Sequence, residues 1–382
     1  MVFSLQPSPN YVPHQMDTEH PHLMKKYLTP LFPQSSRSRV EVLSSEVWHS
    51  QNHKILQNMK LSTIFDDVTS SSIGGIPLVP VLFYLQLKFF RPDIIFVESA
   101  WQGWHKSWKY KIAAYPDHPE RNNHALLRLL EYTRKKHIPS VFWDNEGLVH
   151  FERFIGSAKH FDHVFTVDAD TIPKYKAVMG EKASVHILPF AVHPRLHSFD
   201  GFHFKYNTAC FVGSYSTHIH PQRRYLQEML FHAALDSGLG LHIYDRNSKR
   251  KANVYRYPTW CGTNIHASVP NSRTAAIYKD YLVSLNVNTN ANSPTMVSRR
   301  LVEVLACGGI AVTTPAPSVE NEFRDFCHIV HSREEAMELF ARLKYGPSRE
   351  DLERARAGAD YIAQHRTWDH NLKFVKDVIG LK

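Results

Sequence analysis

The chain has 382 residues, of which 43% are hydrophobic and 21% are charged, so it can form two ordinary globular domains and is not a disordered chain. A net charge of +9 favours anionic partners such as nucleotide sugars, lipid head groups or nucleic acid, without choosing among them. The N-terminus lacks a secretory signal, and the most hydrophobic run, residues 76–90, is too short to span a bilayer. We therefore expect a cytoplasmic protein that can lie at the inner face of the membrane.

The first half of the chain alternates between short apolar strands and helical segments. Residues 1–58 are polar and rich in proline, serine and histidine. This composition predicts an N-terminal extension that is partly disordered. The alternation that follows indicates a parallel sheet with crossover helices. The predicted strands cover residues 61–66, 93–98, 140–143, 164–167 and 185–188, and the predicted helices cover 78–90 (a buried helix), 124–136 and 172–178.

The same alternation restarts after a linker at residues 189–206. Strands are predicted over residues 208–212, 241–244, 281–287 and 310–314, helices over 223–235 and 334–343, and two amphipathic segments over 349–380. The α/β pattern therefore predicts two facing Rossmann-like domains, residues 59–190 and 207–348, with a cleft between them and residues 349–382 as terminal helices.

The most informative stretch is residues 293–314, SPTMVSRRLVEVLACGGIAVTT. Ser298 is a candidate N-cap of an amphipathic helix, which the glycines at 308 and 309 end. Arg299 and Arg300 stand in the first turn of this helix, where the N-terminus already favours anions. This pattern predicts a binding site for a diphosphate. Glu303, one turn later, can accept hydrogen bonds from a pair of sugar hydroxyls.

Polar residues at the ends of the other strands of the second half complete a candidate nucleotide site, because ligands bind beyond the carboxyl ends of parallel strands. Gly213 lets the backbone approach a phosphate closely, and Arg223 begins the next helix, where it either holds phosphate or is a solvated helix charge. The remaining candidates are Ser214, Tyr215, Asp245 and Asn288.

In the first half the richest strand end contains Asp144 and Glu146, with His150 close behind. Carboxylates at a strand end that faces a cleft are candidates for the base that deprotonates an acceptor hydroxyl. Alternatively, either carboxylate caps the next helix. Trp101 and Trp104 are equally well explained as platforms for sugar rings or as core residues.

Cysteines and histidines show no spacing typical of a metal site, so the cysteines are expected to be buried free thiols. A basic cluster between residues 246 and 256 is interpreted as a solvated loop, or secondly as a contact for an anionic lipid-linked acceptor. Nucleic acid is disfavoured as a partner.

The stretch Ser-Arg-Arg-x-x-Glu-x-x-Ala-Cys-Gly-Gly at residues 298–309 resembles the nucleotide-sugar signature of GT-B glycosyltransferases, particularly the CgeB-like (spore-maturation) branch. The resemblance extends over roughly residues 60–320, through the motifs FVGSY, IYD, NVN and WDNEGLVHF. It implies a GT-B fold with terminal helices that pack back on the first domain. It also implies transfer of a sugar from a UDP- or other NDP-sugar to a glycan, lipid-linked or protein acceptor, without a metal or a further cofactor.

One departure from that family concerns the retaining enzymes, many of which carry two glutamates eight residues apart. Here Thr295 stands eight residues before Glu303, so we expect Glu303 to bind the ribose. Whether the sugar transfer retains or inverts the anomeric configuration stays open. The departure also permits an alternative, a GT-B scaffold that binds a nucleotide or glycan without turnover. A more remote alternative, based on the net charge, is a protein that modifies nucleic acid.

Overall fold

Two parallel β-sheets organise the chain, one in each half. The structure is a computed structural model that describes residues 59–262 and 264–381, so the extension predicted over residues 1–58 lies outside it. The strands are β1 (Leu61–Ile64), β2 (Ile76–Pro77), β3 (Ile94–Glu98), β4 (Ser140–Asp144), β5 (His163–Thr166), β6 (Ser184–Ile187), β7 (Tyr206–Gly213), β8 (Leu241–Asp245), β9 (Ile265–His266), β10 (Tyr281–Asn286), β11 (Ile310–Thr313) and β12 (His328–Ile329).

Helices connect these strands, as parallel pairing requires. They are α1 (Asp67–Ile73), α2 (Phe83–Phe90), α3 (His124–Lys135), α4 (Phe151–Ala158), α5 (Ile172–Met179), α6 (Pro221–Asp236), α7 (Thr274–Asp280), α8 (Arg299–Ala306), α9 (Pro317–Glu322), α10 (Arg333–Leu343), α11 (Arg349–His365) and α12 (Trp368–Val378).

Each sheet reverses its strand order at one point. The first sheet has the order β2-β1-β3-β4-β5-β6 and the second β12-β11-β10-β7-β8-β9, with parallel pairing throughout. The reversals therefore lie between β1 and β3 and between β7 and β10. In open parallel sheets a crevice forms at such a switch point, beyond the carboxyl ends of the strands. The architecture confirms the predicted α/β class with two facing Rossmann-like domains.

A continuous apolar core joins the two halves. One buried cluster contains Trp143 and Phe165 of the first sheet together with Leu301 of α8 and Trp368 of α12. A second cluster fills the first sheet's other face, and a third belongs to the second half alone. Because one core includes both halves, burial of apolar surface fixes the geometry of the cleft.

The two terminal helices pack on different halves. In α11, Gly358 lies against Leu305 of α8, since a Cβ added at this glycine would be 3.2 Å from Leu305 Cδ2. In α12, the Trp368 ring meets the Trp143 ring edge to face with centroids 5.1 Å apart, and Asn371 Nδ2 donates to Pro189 O at 2.7 Å. The last helix thus packs back on the first half, as predicted, while α11 stays with the second.

The predicted buried helix over residues 78–90 is wrong in extent and in burial. The helix begins only at Phe83, after a turn that contains Pro80. Phe83 and Leu87 are buried, but Tyr84 and Leu85 between them are exposed. Sequence analysis also missed the short strands β2, β9 and β12 and the helices α1, α4, α7 and α9, most of which are too short to show a clear period.

The four cysteines are buried and free, as expected. Among residues 59–262 and 264–381, no helix combines the length and the apolar character needed to cross a bilayer.

Candidate active site

A cavity of about 710 Å³ lies where the switch points of the two sheets face each other. Its walls come from the ends of β1, β3 and β4 in the first half and of β7 and β10 in the second, together with the first turn of α8. The predicted residues that line it are Glu146, His150, Gly213, Ser214, Arg223, Asn288, Ser298, Arg299, Arg300 and Glu303. The structure therefore brings most of the predicted site residues into one cavity.

The second-half wall carries guanidinium groups around the end of β7. Arg300 Nε donates to Val212 O at 2.7 Å, and Arg223 donates from both terminal nitrogens to Ser214 O at 3.3 and 3.4 Å. Burial and, to a smaller extent, the positive charge of Arg300 lower the pKa of Arg223 to about 10. Within the described residues neither arginine has a carboxylate partner within 4.0 Å. Both hydrogen-bond only to neutral groups, so the wall has an excess of positive charge.

Position 213 must be a glycine because the side chain of Arg300 passes close to its Cα. A Cβ at this position would meet Arg300 Nη2 at 2.6 Å and the Phe211 ring at 2.5 Å, which no side chain tolerates without displacement. The guanidinium of Arg300 also stacks over the Phe211 ring, 4.2 Å from its centroid. The glycine therefore leaves the space in which Arg300 reaches the cavity.

Asn288 forms a hydrogen bond at the start of α8, the helix that carries Arg299 and Arg300. Its Oδ1 accepts a hydrogen bond from Ser298 N at 2.8 Å, so it satisfies one of the amides at the N-terminus of α8. Ser298 is the N-cap, but its side chain makes no capping hydrogen bond. Asn288 lines the cavity, and its buried Nδ2 has no hydrogen-bond partner among the described residues. A buried amide that lacks a partner costs free energy unless a ligand satisfies it.

Glu303 lies deeper along the same helix and is only 7% exposed. Its Oε1 accepts from Asn271 Nδ2 at 2.9 Å and its Oε2 from Tyr278 OH at 3.4 Å, with His197 Nε2 at 4.0 Å. A carboxylate has capacity for further hydrogen bonds, and the unpaired Oδ1 of Asn271 lies beside it in the lining. This corner of the cavity can therefore bind a hydroxyl pair.

The first-half wall presents Glu146 and His150, one turn apart. Glu146 Oε1 accepts from Trp101 Nε1 at 3.0 Å, and its Oε2 lies 3.6 Å from His150 Nε2. Burial raises the pKa of Glu146 to about 7, with a smaller contribution from the charge of Asp144. Burial likewise lowers the pKa of His150. A carboxyl group with a pKa near neutrality beside an imidazole can take up a proton from an acceptor.

Two further acidic residues lie at the ends of neighbouring strands; residues 97–103, which include Glu98, were a candidate wall of the acceptor site, but neither acid was assigned a role. Glu98, at the end of β3, accepts from Thr69 Oγ1 at 2.6 Å and from Asn145 Nδ2 at 2.7 Å, and burial raises its pKa to about 8. Asp66, after β1, accepts from the amides of residues 101–103 and so positions the loop that carries Trp101. Both line the cavity, and their strand-end positions were the signal that could have identified them.

Arg299 connects the two walls. Its Nη2 donates to Thr69 Oγ1 at 3.1 Å, and its guanidinium lies 5.0 Å from the centroid of the Phe190 ring. Burial lowers the pKa of Arg299, whereas the nearby charges of Glu98 and Glu303 raise it. Arg299 is thus held between the halves, while Arg300 is held entirely within the second.

The structure places three of the predicted residues outside the cavity lining. Asp144 is fully buried, where its Oδ1 accepts from the amides of Glu146 and Gly147 and its Oδ2 from Tyr175 OH at 3.0 Å. Tyr215 lies in the second-half core with its hydroxyl bonded to Glu228. Asp245 accepts from Asn247 N at 2.7 Å within its own loop. All three support the site's loops, and Asp144 thus has the capping role considered as its alternative.

Thr295, which replaces the expected partner glutamate, is also absent from the lining. Its hydroxyl donates to Val167 O at 3.0 Å and accepts from Ala169 N at 2.9 Å, both in the first half. This position therefore fixes the loop before α8 to the opposite half.

The basic loop at residues 246–256 lies at the rim of the cavity. Arg246 and Arg250 line it, and Arg250 lies 4.4 Å from the centroid of the Tyr255 ring. Lys249 and Lys251 are exposed. Trp101 is a lining residue, whereas Trp104 packs edge to face with His105 outside the cavity. No three His, Cys, Asp or Glu side chains are grouped for metal binding in the part of the chain that the structure describes.

Comparison with known proteins agrees with this architecture. The family model described as glycosyl transferase-like matches residues 223–377, which is less than half of the chain. No curated protein sequence matches the chain. An alpha-glucosyltransferase solved with UDP and a 13-mer DNA containing an HMU base is similar with a TM-score of 0.54 and 14% identity, covering 88% of this chain and 95% of that one.

Two further solved structures are similar at lower scores. The α,α-trehalose 6-phosphate synthase from Burkholderia multivorans has a TM-score of 0.46 and 11% identity, covering 79% of this chain and 75% of its own. The sucrose-phosphate synthase from Thermosynechococcus elongatus has a TM-score of 0.48 and 10% identity, covering 79% and 77%. Residues 223–377 are therefore similar in sequence to a glycosyl transferase-like family, and the chain shares its fold with the alpha-glucosyltransferase.

Proposed function

We propose that the cavity binds a nucleotide sugar on its second-half wall and a hydroxyl acceptor on its first-half wall, and that it transfers the sugar between them. The observation that carries this proposal is the excess positive charge at the end of β7. Partly buried guanidinium groups without a carboxylate partner are unfavourable unless an anion compensates them. A diphosphate supplies that charge.

The contacts on this wall support a position for each part of the sugar donor. Arg223 and Arg300 hold the diphosphate beside Gly213, and the unpaired Nδ2 of Asn288 donates to a phosphate oxygen. Glu303 accepts hydrogen bonds from the ribose hydroxyls. In this arrangement residues 207–348 bind the sugar donor, and no cofactor beyond it is required.

On the opposite wall, Glu146 acts as the base. Its carboxylate removes the proton of the acceptor hydroxyl as the oxygen attacks the anomeric carbon, and the nucleoside diphosphate leaves toward the arginines. His150 positions the carboxylate, and Trp101 fixes its other oxygen. The leaving diphosphate is stabilised by preorganised cations, which is the largest contribution in many group transfers. Residues 59–190 thus form the acceptor domain, with residues 349–382 as terminal helices.

Several finer assignments belong to the same proposal. They are membership of the CgeB-like branch, catalysis without a metal ion, a glycan, lipid-linked or protein acceptor, and action in the cytoplasm at the inner face of the membrane. A non-catalytic binding scaffold is the competing function, and the Glu146–His150 pair in the cavity favours the enzyme.

The test begins with thermal shift against UDP, GDP, ADP and dTDP and their sugars, because a ligand that binds the folded state raises the melting temperature. We expect one nucleotide family to stabilise the protein and its sugar to be hydrolysed slowly. In Arg223→Met the shift should disappear while the ligand-free protein stays as stable, because removing a partly buried charge without a carboxylate partner costs little.

Two outcomes would contradict these expectations. No shift with any nucleotide would refute the nucleotide site. A shift without release of the nucleoside diphosphate, even with acceptors present, would favour the binding scaffold.

A further inference from the structure

The outward face of α2 is apolar although it faces solvent. Val81, Tyr84, Leu85 and Phe89 are 83%, 48%, 43% and 65% exposed. At 3.6 residues per turn, positions 84, 85, 88 and 89 share one side of the helix, and Val81 lies in the turn just before it. We call this surface, residues 81, 84, 85, 88 and 89, the α2 face. Helices on a protein surface normally present polar side chains to water, so a cluster of this kind marks a binding surface.

Cations lie within the α2 face and beside its C-terminal end. Lys88 and Arg91 are exposed on α2 and at its C-terminus, and Lys135 and Lys136 are exposed at the end of α3. The two helices are neighbours here, because the Tyr84 ring meets the Tyr132 ring edge to face with centroids 5.2 Å apart. Lys136 Nζ lies 6.0 Å above the same Tyr132 ring. The nearby acid on α3, Glu131, is paired with Lys135 at 2.7 Å.

We propose that the α2 face docks on an anionic phospholipid bilayer. Apolar side chains that lie next to exposed cations match the acyl boundary and the negative head groups of such a membrane. A second copy of the chain fits less well, because a two-fold interface would bring Lys88 and Arg91 of one copy toward the same residues of the other. Charge complementarity therefore selects the lipid surface.

The α2 face adjoins the acceptor side of the cavity. Leu78, just before Val81, accepts a hydrogen bond at its carbonyl from Trp108 Nε1 at 2.7 Å. Trp108 packs against Gly103 and lies in the same irregular segment, between β3 and α3, as the lining residue Trp101. Docking of α2 thus brings the acceptor wall close to the bilayer. This last step rests on the proposed function, and it identifies the acceptor as a lipid-linked hydroxyl compound.

The experiment measures flotation of the full chain with vesicles of phosphatidylcholine alone or mixed with phosphatidylglycerol. We expect binding to the anionic vesicles that weakens with added salt. The triple variant Val81→Ser, Leu85→Ser, Phe89→Ser should bind at least about tenfold more weakly, because it loses three apolar side chains that the bilayer would bury. Tyr345→Ser, at an 87% exposed site in the second half, is the matched control and should bind normally.

Three outcomes would overturn the proposal: equal binding to both vesicle types, unchanged binding of the triple variant, or a dimer in sedimentation velocity that the triple variant abolishes. Nucleotide thermal shift is measured on the same samples. If vesicle binding fails while the shift persists, the docking surface is refuted and the sugar-donor site stands. The opposite result refutes the sugar-donor site alone.

Discussion

Arg299 Nη2 donates to Thr69 Oγ1 at 3.1 Å, and the same hydroxyl donates to Glu98 Oε2 at 2.6 Å. The hydroxyl therefore relays a hydrogen bond between a carboxylate of the first half and a guanidinium of the second. This relay holds Arg299 between the two walls of the cavity, where it can contact a ligand that both halves bind.

Replacing Thr69 with valine removes the relay while preserving the side-chain shape. Arg299 loses its contact with the first half, and a hydrogen bond to a charged group contributes about 1.5–3 kcal/mol. We expect nucleotide affinity in isothermal titration to fall roughly tenfold. Ser71→Ala on the same helix removes only a local bond to Val68 O and should leave the affinity unchanged. Equal affinities for the two variants would show that the relay is not needed.

The close approach of Arg300 to Gly213 gives a second prediction. In Gly213→Ala the new methyl group would occupy the space of Arg300 Nη2, so the guanidinium must move away from the diphosphate seat. We expect loss of the nucleotide-induced thermal shift from a protein that still folds. Gly156→Ala in α4 is the control, since nothing lies within 4 Å of a Cβ there and alanine favours a helix. A normal shift in Gly213→Ala would place the diphosphate elsewhere.

The pKa of Glu146 predicts the pH dependence of transfer. Burial raises this pKa to about 7, and a base acts only when deprotonated, so kcat/KM should rise as the pH increases through about 7. Glu146→Gln should lower the rate by about 10²-fold or more and abolish this limb of the profile.

Asp144→Asn tests whether the neighbouring carboxylate is merely structural. Burial raises the pKa of Asp144 to about 6, but the side chain caps residues 146 and 147. Asparagine keeps an acceptor for these amides, and its Nδ2 can donate to the hydroxyl oxygen of Tyr175. We therefore expect the rising limb near pH 7 to persist in this variant. Its disappearance here, with a normal profile in Glu146→Gln, would reverse the two roles.

The sequence was informative where one residue's position decides its environment. The start of a helix or the end of a strand at the cleft is expected to place a side chain near a ligand, and the structure places Arg223, Asn288 and Ser298 in the cavity lining. It failed for Tyr215 and Asp144, because residues one position apart near a strand end can point in opposite directions. The sequence pattern does not show which of two neighbouring residues at a strand end faces the core.

Contacts between the two halves could not be predicted from the hydrophobic pattern of the sequence. Glu98 and Thr69 gain their significance from Arg299, which lies about 200 residues further along the chain. The prediction of a buried helix over residues 78–90, the region of α2, failed for a different reason. Its apolar residues cover both faces of the helix, and hydrophobicity alone cannot distinguish a buried helix from one with an apolar surface.

The last prediction concerns Asp168, which is fully buried at the junction of the halves. Its Oδ1 accepts from Ser293 Oγ at 2.7 Å, and its Oδ2 accepts from Asn290 Nδ2 at 3.0 Å and from Leu148 N at 3.1 Å. This carboxylate thereby ties the loop before α8 to the first half. Asp168→Ala leaves these donors without a partner, and each unsatisfied group costs about 1–3 kcal/mol.

We expect Asp168→Ala to lower Tm by at least about 5 °C and to weaken nucleotide binding, since the freed loop leads into the helix that carries Arg299 and Arg300. Asp236→Ala is the matched control. That carboxylate is 41% exposed and pairs with a 49% exposed Arg333, so its loss should change stability by less than about 1 kcal/mol. Calorimetry of both variants decides the matter: equal Tm values would mean that the halves are held together by their shared apolar core alone, and a lower Tm with intact nucleotide binding would separate the carboxylate's stabilising role from the ligand site.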